Sequence, residues 1–122
     1  MILVDTSVWI DHLNSAIAAL VDALEAEDVL LHPFIIGELA CGEIRRRREV
    51  LDLLGTLPSS VVATEEEVLH FIESHRLMGK GIGYIDAHLL ASVTLTRGST
   101  LWSRDKRLAA IAARLRIGFV SA

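Results

Sequence analysis

The chain has 122 residues, 16 acidic and 12 basic side chains for a formal net charge of −4, and a single cysteine, Cys41. The length predicts one domain spanning residues 1–122, burying about two-thirds of the surface its unfolded chain exposes. The charge excludes a generic basic coat for nucleic acid, and the lone cysteine excludes an internal disulfide framework. Hydrophobic residues make up 52% of the chain and the mean hydropathy is +0.45. Even so, no apolar run approaches the roughly 20 residues of a membrane helix. The longest candidate, Val29 to Leu39, is broken by His32, Pro33 and Glu38. The start carries no basic segment or cleavage site of a signal peptide, and a reducing cytoplasm is the expected compartment. The apolar surplus reads as buried strands plus surface covered by a partner.

In chain order, residues 2–5 predict a short buried strand. Thr6 to Leu13 predict a helix entered through Asp5, Thr6 and Ser7, all good capping residues. Ala16 to Ala26 form a helical pattern with Ile17, Leu20, Val21 and Leu24 on one stripe. Val29 to Leu31 read as a second strand. Pro33 suits the first turn of a helix reaching about Ile44, and Arg47 to Leu54 predict another. Ser60 to Ala63 read as a third strand, and Thr64 with Glu67 fits a capping box for the helix that follows. A glycine-rich loop, 79–83, leads into a helix over Tyr84 to Thr96. Thr100 to Trp102 read as a fourth strand, Asp105 to Leu115 as a helix, and Gly118 to Val120 as a last edge strand. Short apolar strands alternating with longer helices define an α/β domain with a mainly parallel sheet.

Ligands of open parallel sheets bind beyond the carboxyl ends of the strands. Asp5 follows the first strand and Asp105 follows the fourth, two residues after Ser103. Glu38 and Asp86 interrupt apolar helical segments, Phe34 to Ala40 and Gly83 to Leu90. Four converging carboxylates repel: at ~4 Å and an effective dielectric near 20, each like-charged pair costs about 4 kcal/mol. A hard divalent cation removes that cost, and oxygen-only ligands select Mg²⁺ or Mn²⁺ over zinc. Such a site activates water for phosphodiester hydrolysis. Taken singly, each acid also has a plain structural use, Asp5 as a helix cap and Asp86 and Asp105 as anions near helix starts. Glu38 alone fits a solvent-facing gap in its stripe.

These residues resemble the motifs of PIN-domain ribonucleases, and among them the VapC toxins of type II toxin–antitoxin pairs. The resemblance rests on Val4-Asp5-Thr6-Ser7, Gly37-Glu38-Leu39 with Gly42, Gly83-Tyr84-Ile85-Asp86-Ala87-His88-Leu89-Leu90-Ala91, and Leu101-Trp102-Ser103-Arg104-Asp105. It runs in order over essentially the whole chain. It implies a three-layer fold with a parallel five-stranded sheet flanked by helices, the first strand lying beside the fourth. It implies that Asp5, Glu38 and Asp86 are metal ligands and catalytic residues, with Asp105 matching a more variable fourth. Thr6 and Ser103 match positions where the family carries supporting hydroxyls, Ser103 standing where threonine is commoner. One or two Mg²⁺ or Mn²⁺ ions, an RNA substrate, a VapB-like antitoxin and a homodimer are implied as cofactor and partners.

The basic residues beside the proposed site, Arg104, Lys106 and Arg107, are candidate RNA phosphate contacts. Arg45 to Arg48 read first as a solvated helix end. Gly79 to Gly83 lack P-loop spacing, and the five histidines lack zinc spacing and are expected to be ordinary hydrogen-bonded side chains. Cys41 reads as a small buried filler. Trp9, Ile10 and Leu13 form an apolar face suited to a second copy or an antitoxin helix. Other α/β phosphotransfer folds fit poorly. A haloacid-dehalogenase-like phosphatase needs a second aspartate two residues after Asp5, where Ser7 stands, and a receiver domain needs an aspartate after the third strand, where Ser60 to Glu67 contain none. A non-catalytic RNA- or protein-binding module is the competing reading.

Overall fold

The structure is a computed structural model that describes residues 1–120; the last two residues of the expected 1–122 domain lie outside the described part. Three strands, β1 (Ile2–Val4), β2 (Val29–Leu30) and β3 (Thr100–Trp102), form a parallel sheet in the order β2-β1-β3. Parallel neighbours need long crossovers. The first holds α1 (Thr6–Asn14) and α2 (Ala18–Glu25). The second holds α3 (Pro33–Cys41), α4 (Arg47–Leu54), α5 (Glu65–His75) and α6 (Tyr84–Leu95), and α7 (Lys106–Arg114) follows β3. Ile2, Leu3 and Val4 are all buried, as a central strand covered on both faces requires. Ile2, Leu3 and Val4 pair with Thr100, Leu101 and Trp102, while Ile2 and Leu3 pair with Val29 and Leu30 on the other side.

The expected five-stranded sheet is corrected to three strands with one further parallel bridge at each edge, Leu31 to Ser59 and Leu101 to Gly118. The missing third strand has a physical reason. The Val61 amide donates to Thr96 Oγ1 at 2.9 Å and the Ala63 amide to Ser92 Oγ at 3.1 Å. Hydroxyls of α6 and of the residue that ends it thus take donors that a strand would direct into a ladder. At the other edge, the Leu101 amide donates to the Ile117 carbonyl and the Phe119 amide to the Leu101 carbonyl, at 2.7 and 2.9 Å. Gly118 passes so close to α7 that a side chain there would meet the Ala113 amide nitrogen at 3.3 Å.

The helices follow their local chemistry. Thr64 and Glu67 close the expected capping box, with reciprocal bonds of 3.1 and 2.9 Å. α3 stops at Cys41, short of Ile44, because Gly42 turns extended and Arg47 donates to the Ala40 carbonyl from Nε and Nη2 at 3.1 and 2.8 Å. Cys41 is exposed there, not buried as expected.

A buried histidine joins the two helices that matter most below. His32 ends the β2 edge and is fully buried. Its Nδ1 accepts from the Phe34 amide at 3.0 Å, capping α3, and its Nε2 lies 3.2 Å from Ser92 Oγ on α6. An Nδ1 that accepts is unprotonated, so the neutral ring donates from Nε2. Burial, and then the neighbouring His88, hold its pKa down to about 4 from 6.5. His88 packs edge-on against Phe34 and Tyr84, with ring centroids 4.6 and 4.9 Å apart. Its buried Nδ1 has no hydrogen-bond partner among the described residues, unlike the satisfied histidine expected.

Between pH 6.5 and 4 the unfolded His32 binds a proton that the folded one refuses. Stability therefore falls as pH drops through that window, by on the order of 3 kcal/mol at most from this residue. Urea unfolding across that range will show the loss, and His32→Asn, which keeps a capping oxygen but cannot titrate, will flatten it.

Candidate functional site

The register of the sheet builds the site. Val4 pairs with Trp102, and the Asp5 amide donates to the Trp102 carbonyl at 2.9 Å. Asp5 and Ser103 are therefore neighbours where the strands end. Asp5 opens α1 through its backbone carbonyl, which accepts from Val8 and Trp9 at 3.0 and 3.2 Å, but its side chain caps nothing. Instead the buried carboxylate accepts at Oδ2 from Ser7 Oγ and Ser103 Oγ, both at 2.8 Å. Those hydroxyls in turn accept the Arg104 and Asp105 amides, each at 3.0 Å. Ser7 was missed among the candidate site residues. Its signal was present: a hydroxyl two positions past the acid, on the first turn of the helix that the acid begins.

The other three acids come from α3, the first turn of α6 and the start of α7. Glu38, exposed on α3, accepts at Oε1 from Thr6 Oγ1 at 2.7 Å. Asp86, partly buried on the first turn of α6, accepts at Oδ2 from the Gly83 amide at 3.3 Å. Asp105 caps α7, accepting at Oδ1 from the Arg107 and Leu108 amides at 3.0 and 3.1 Å. Its structural use is therefore real. Burial raises the Asp86 pKa, the Gly83 amide opposes the rise, and the charges of Asp5, Asp105 and Glu38 add to it. Asp86 thus lies within reach of the charges of the other three predicted acids in the folded chain.

A common pattern links them. Each carboxylate is held through one oxygen, and among the described residues no hydrogen bond reaches the other. Neither ion pair of the described residues touches them: these join Met1 to Asp28 and Arg104 to Asp11. An all-oxygen donor set, anionic and without a cationic side chain, fits a hard divalent cation. Among the described residues, no three His, Cys, Asp or Glu side chains stand ready-clustered around one point, so a shared ion requires side-chain movement. Arg104 is engaged with Asp11 at 3.0 Å, while Lys106 and Arg107 are exposed on the first turn of α7. Beside Glu38, an open groove is lined by Phe34, Gly37, Cys41, Tyr84 and Ile85.

A parallel α/β sheet with acids after two of its strands and on two flanking helices defines a class, and the comparison with family models agrees with it: the PIN domain matches residues 2–114, and the chain belongs to the PIN-domain family. At closer range it is similar to the protein named Ribonuclease VapC32 of Mycobacterium tuberculosis, from strain CDC 1551 / Oshkosh and from strain ATCC 25618 / H37Rv. Each is 52% identical over 113 residues, spanning 93% of this chain and 91% of the relative. No helix of the described residues is long and apolar enough to cross a membrane.

Two stability effects follow. Asp86→Asn keeps an acceptor for the Gly83 amide and removes a charge that burial and three acids oppose, so the metal-free variant will melt above the unaltered chain in calorimetry. Ser7→Ala removes one of two donors to a buried carboxylate and the acceptor of the Arg104 amide, and will lower the unfolding free energy in urea by about 1–3 kcal/mol.

Proposed function

We propose that this chain is a metal-dependent endoribonuclease, a single-domain toxin of a type II toxin–antitoxin pair acting on RNA in the cytoplasm. The observation that carries the reading is the set of four carboxylates, three of which oppose the charge of Asp86, and each of which, among the described residues, keeps one oxygen without a hydrogen bond and has no paired side-chain cation. The relatives' printed name, ribonuclease, and their high identity over nearly the whole chain support the same activity here.

In this reading Asp5, Glu38, Asp86 and Asp105 hold one or two Mg²⁺ or Mn²⁺ ions and are the catalytic residues. When bound, such an ion lowers the pKa of water and offsets charge building on a phosphodiester at the transition state. The chain's own residues do the orienting. Ser7 and Ser103 fix Asp5, and their acceptance of the Arg104 and Asp105 amides ties the fourth acid to the first. Thr6 fixes Glu38 from the helix that Asp5 begins. The Gly83 amide holds one Asp86 oxygen so that the other stays available. A purely structural use of the acids, as in a binding module, suits Asp105, which caps a helix. It does not suit Asp86, whose charge is opposed by burial and by three neighbours.

RNA phosphates approach an anionic site, and Lys106 and Arg107 are the proposed contacts from α7, with Arg104 available when released from Asp11. Ile10, Leu13 and Leu53 are exposed apolar side chains. Leu13 and Leu53 line a groove with Trp9, Leu24, Val50 and Leu57. A VapB-like antitoxin and a second copy of the chain are the partners proposed to cover such surface.

Antitoxin-free protein incubated with total RNA and Mg²⁺ or Mn²⁺ will release discrete fragments. EDTA or Asp5→Asn will lower the rate by about a hundredfold or more. Equal cleavage by Asp5→Asn would return Asp5 to a structural role. In parallel, Mg²⁺ or Mn²⁺ will raise the melting temperature of the unaltered chain, and Asp5→Asn will reduce that rise.

A further inference from the structure

One contact links the loop before α6 to the start of α7. Gly81 lies in the left-handed region, at φ +81°. A Cβ at this position would stand 2.7 Å from Cδ, 2.8 Å from Nη1 and 3.0 Å from Nε of Arg107. The arginine side chain therefore runs flat against the bare backbone of Gly81, in space that any larger residue would take. Among the described residues its guanidinium has no ion pair and no hydrogen bond; only its backbone amide is engaged, with Asp105.

The neighbouring arginines differ. Arg104 is paired with Asp11, Arg47 binds the Ala40 carbonyl, and Arg114 binds the His75 carbonyl. Arg107 alone of these four keeps its donors free while its stem is held by packing. Its position follows from the elements that it joins. Its own amide binds Asp105, and two residues past Gly81 the Gly83 amide binds Asp86. A guanidinium laid on the loop that leads to Asp86, from the helix turn that Asp105 caps, and paired with neither acid, suits an anion brought in from outside. Its fork matches two phosphate oxygens.

We propose that Gly81 is a positioning residue that holds the Arg107 guanidinium beside the acids to receive a backbone phosphate of the RNA. This rests on the ribonuclease reading above. An RNA that must approach an anionic centre gains a fixed cation at its edge, and because the arginine is laid on the loop it does not neutralise the carboxylates.

The test is binding of a mixed-sequence single-stranded RNA oligonucleotide to the Asp5→Asn protein, in Mg²⁺ and over a series of salt concentrations. Arg107→Ala will weaken binding by about tenfold, and will lower the slope of log affinity against log salt by about 0.7, the share of one single-strand phosphate. Gly81→Ala will reproduce most of that loss and add nothing in the Arg107→Ala background. Gly79→Ala is the control for backbone strain. Gly79 is also left-handed, at φ +68°, but a Cβ there meets nothing within 4 Å, so binding will be kept.

Unchanged affinity and slope with Arg107→Ala would overturn the proposal. So would equal damage from Gly79→Ala, or a further loss from Gly81→Ala without Arg107. If Gly81→Ala does not fold, Arg107→Lys decides: retained slope with weaker binding supports the held fork, and full affinity overturns it. Cleavage by the unaltered chain separates the two levels. Cleavage with Arg107-independent binding overturns this contact alone. Arg107-dependent binding without cleavage supports the contact and overturns the nuclease.

Discussion

A carboxylate buried at the end of the central strand, met by two hydroxyls and no cation, is the constraint around which this molecule is arranged. An isolated charge in such a place is costly, and the bonds from Ser7 and Ser103 offset part of that cost by about 1.5–3 kcal/mol each. Both hydroxyls arrive through fixed geometry. Ser7 sits on the first turn of α1, and Ser103 follows a strand whose register against β1 leaves no freedom of position. Because the two hydroxyls also accept the Arg104 and Asp105 amides, the loop that delivers the fourth acid is locked to the first. Among the described residues no hydrogen bond reaches the other oxygen of Asp5.

The same division recurs at Glu38, Asp86 and Asp105: one oxygen holds the fold, the other is unengaged. It lets the structural use of each acid and the chemical use proposed for it draw on different atoms. Asp105 shows this most clearly, as its Oδ1 caps α7 like any helix-starting aspartate. The positive side chains nearby follow a matching economy. Arg104 and Arg47 secure the fold at Asp11 and Ala40, so that the acids stay free of internal counter-charges.

Much of this was legible in the residues. The apolar triplet Ile2–Val4 marked β1, the strand-forming Thr100–Trp102 marked β3, the Thr64–Glu67 spacing marked the start of α5, and all four acids stood out against apolar or strand-end surroundings. What escaped reading depended on partners distant in sequence. Ser60 to Ala63 look like a strand because their side chains are suitable, but the hydroxyls of Ser92 on α6 and of Thr96 at its end capture the Ala63 and Val61 amides. Ser7 looks like one more capping residue until Ser103 is seen on the same oxygen. Cys41 reads as a core filler, yet the turn at Gly42 leaves it at the exposed end of a helix. His32 looks unremarkable until its ring is found capping α3 and touching α6 at once, the helices that carry Glu38 and Asp86.

The pairing of β1 with β3 also has a consequence for how the molecule comes into being. The bond between Asp5 and Ser103 spans 98 positions of sequence, and contacts of that range form late because the intervening chain must first be closed into a loop. While the protein is being synthesised, β1 has no β3 to lie against until residue 102 has left the ribosome. Until then the first acid lacks one of its hydroxyls, and the fourth acid has not joined the centre. A partly made chain of this kind lacks the assembled set of acids, which comes together only once β3 has closed against β1.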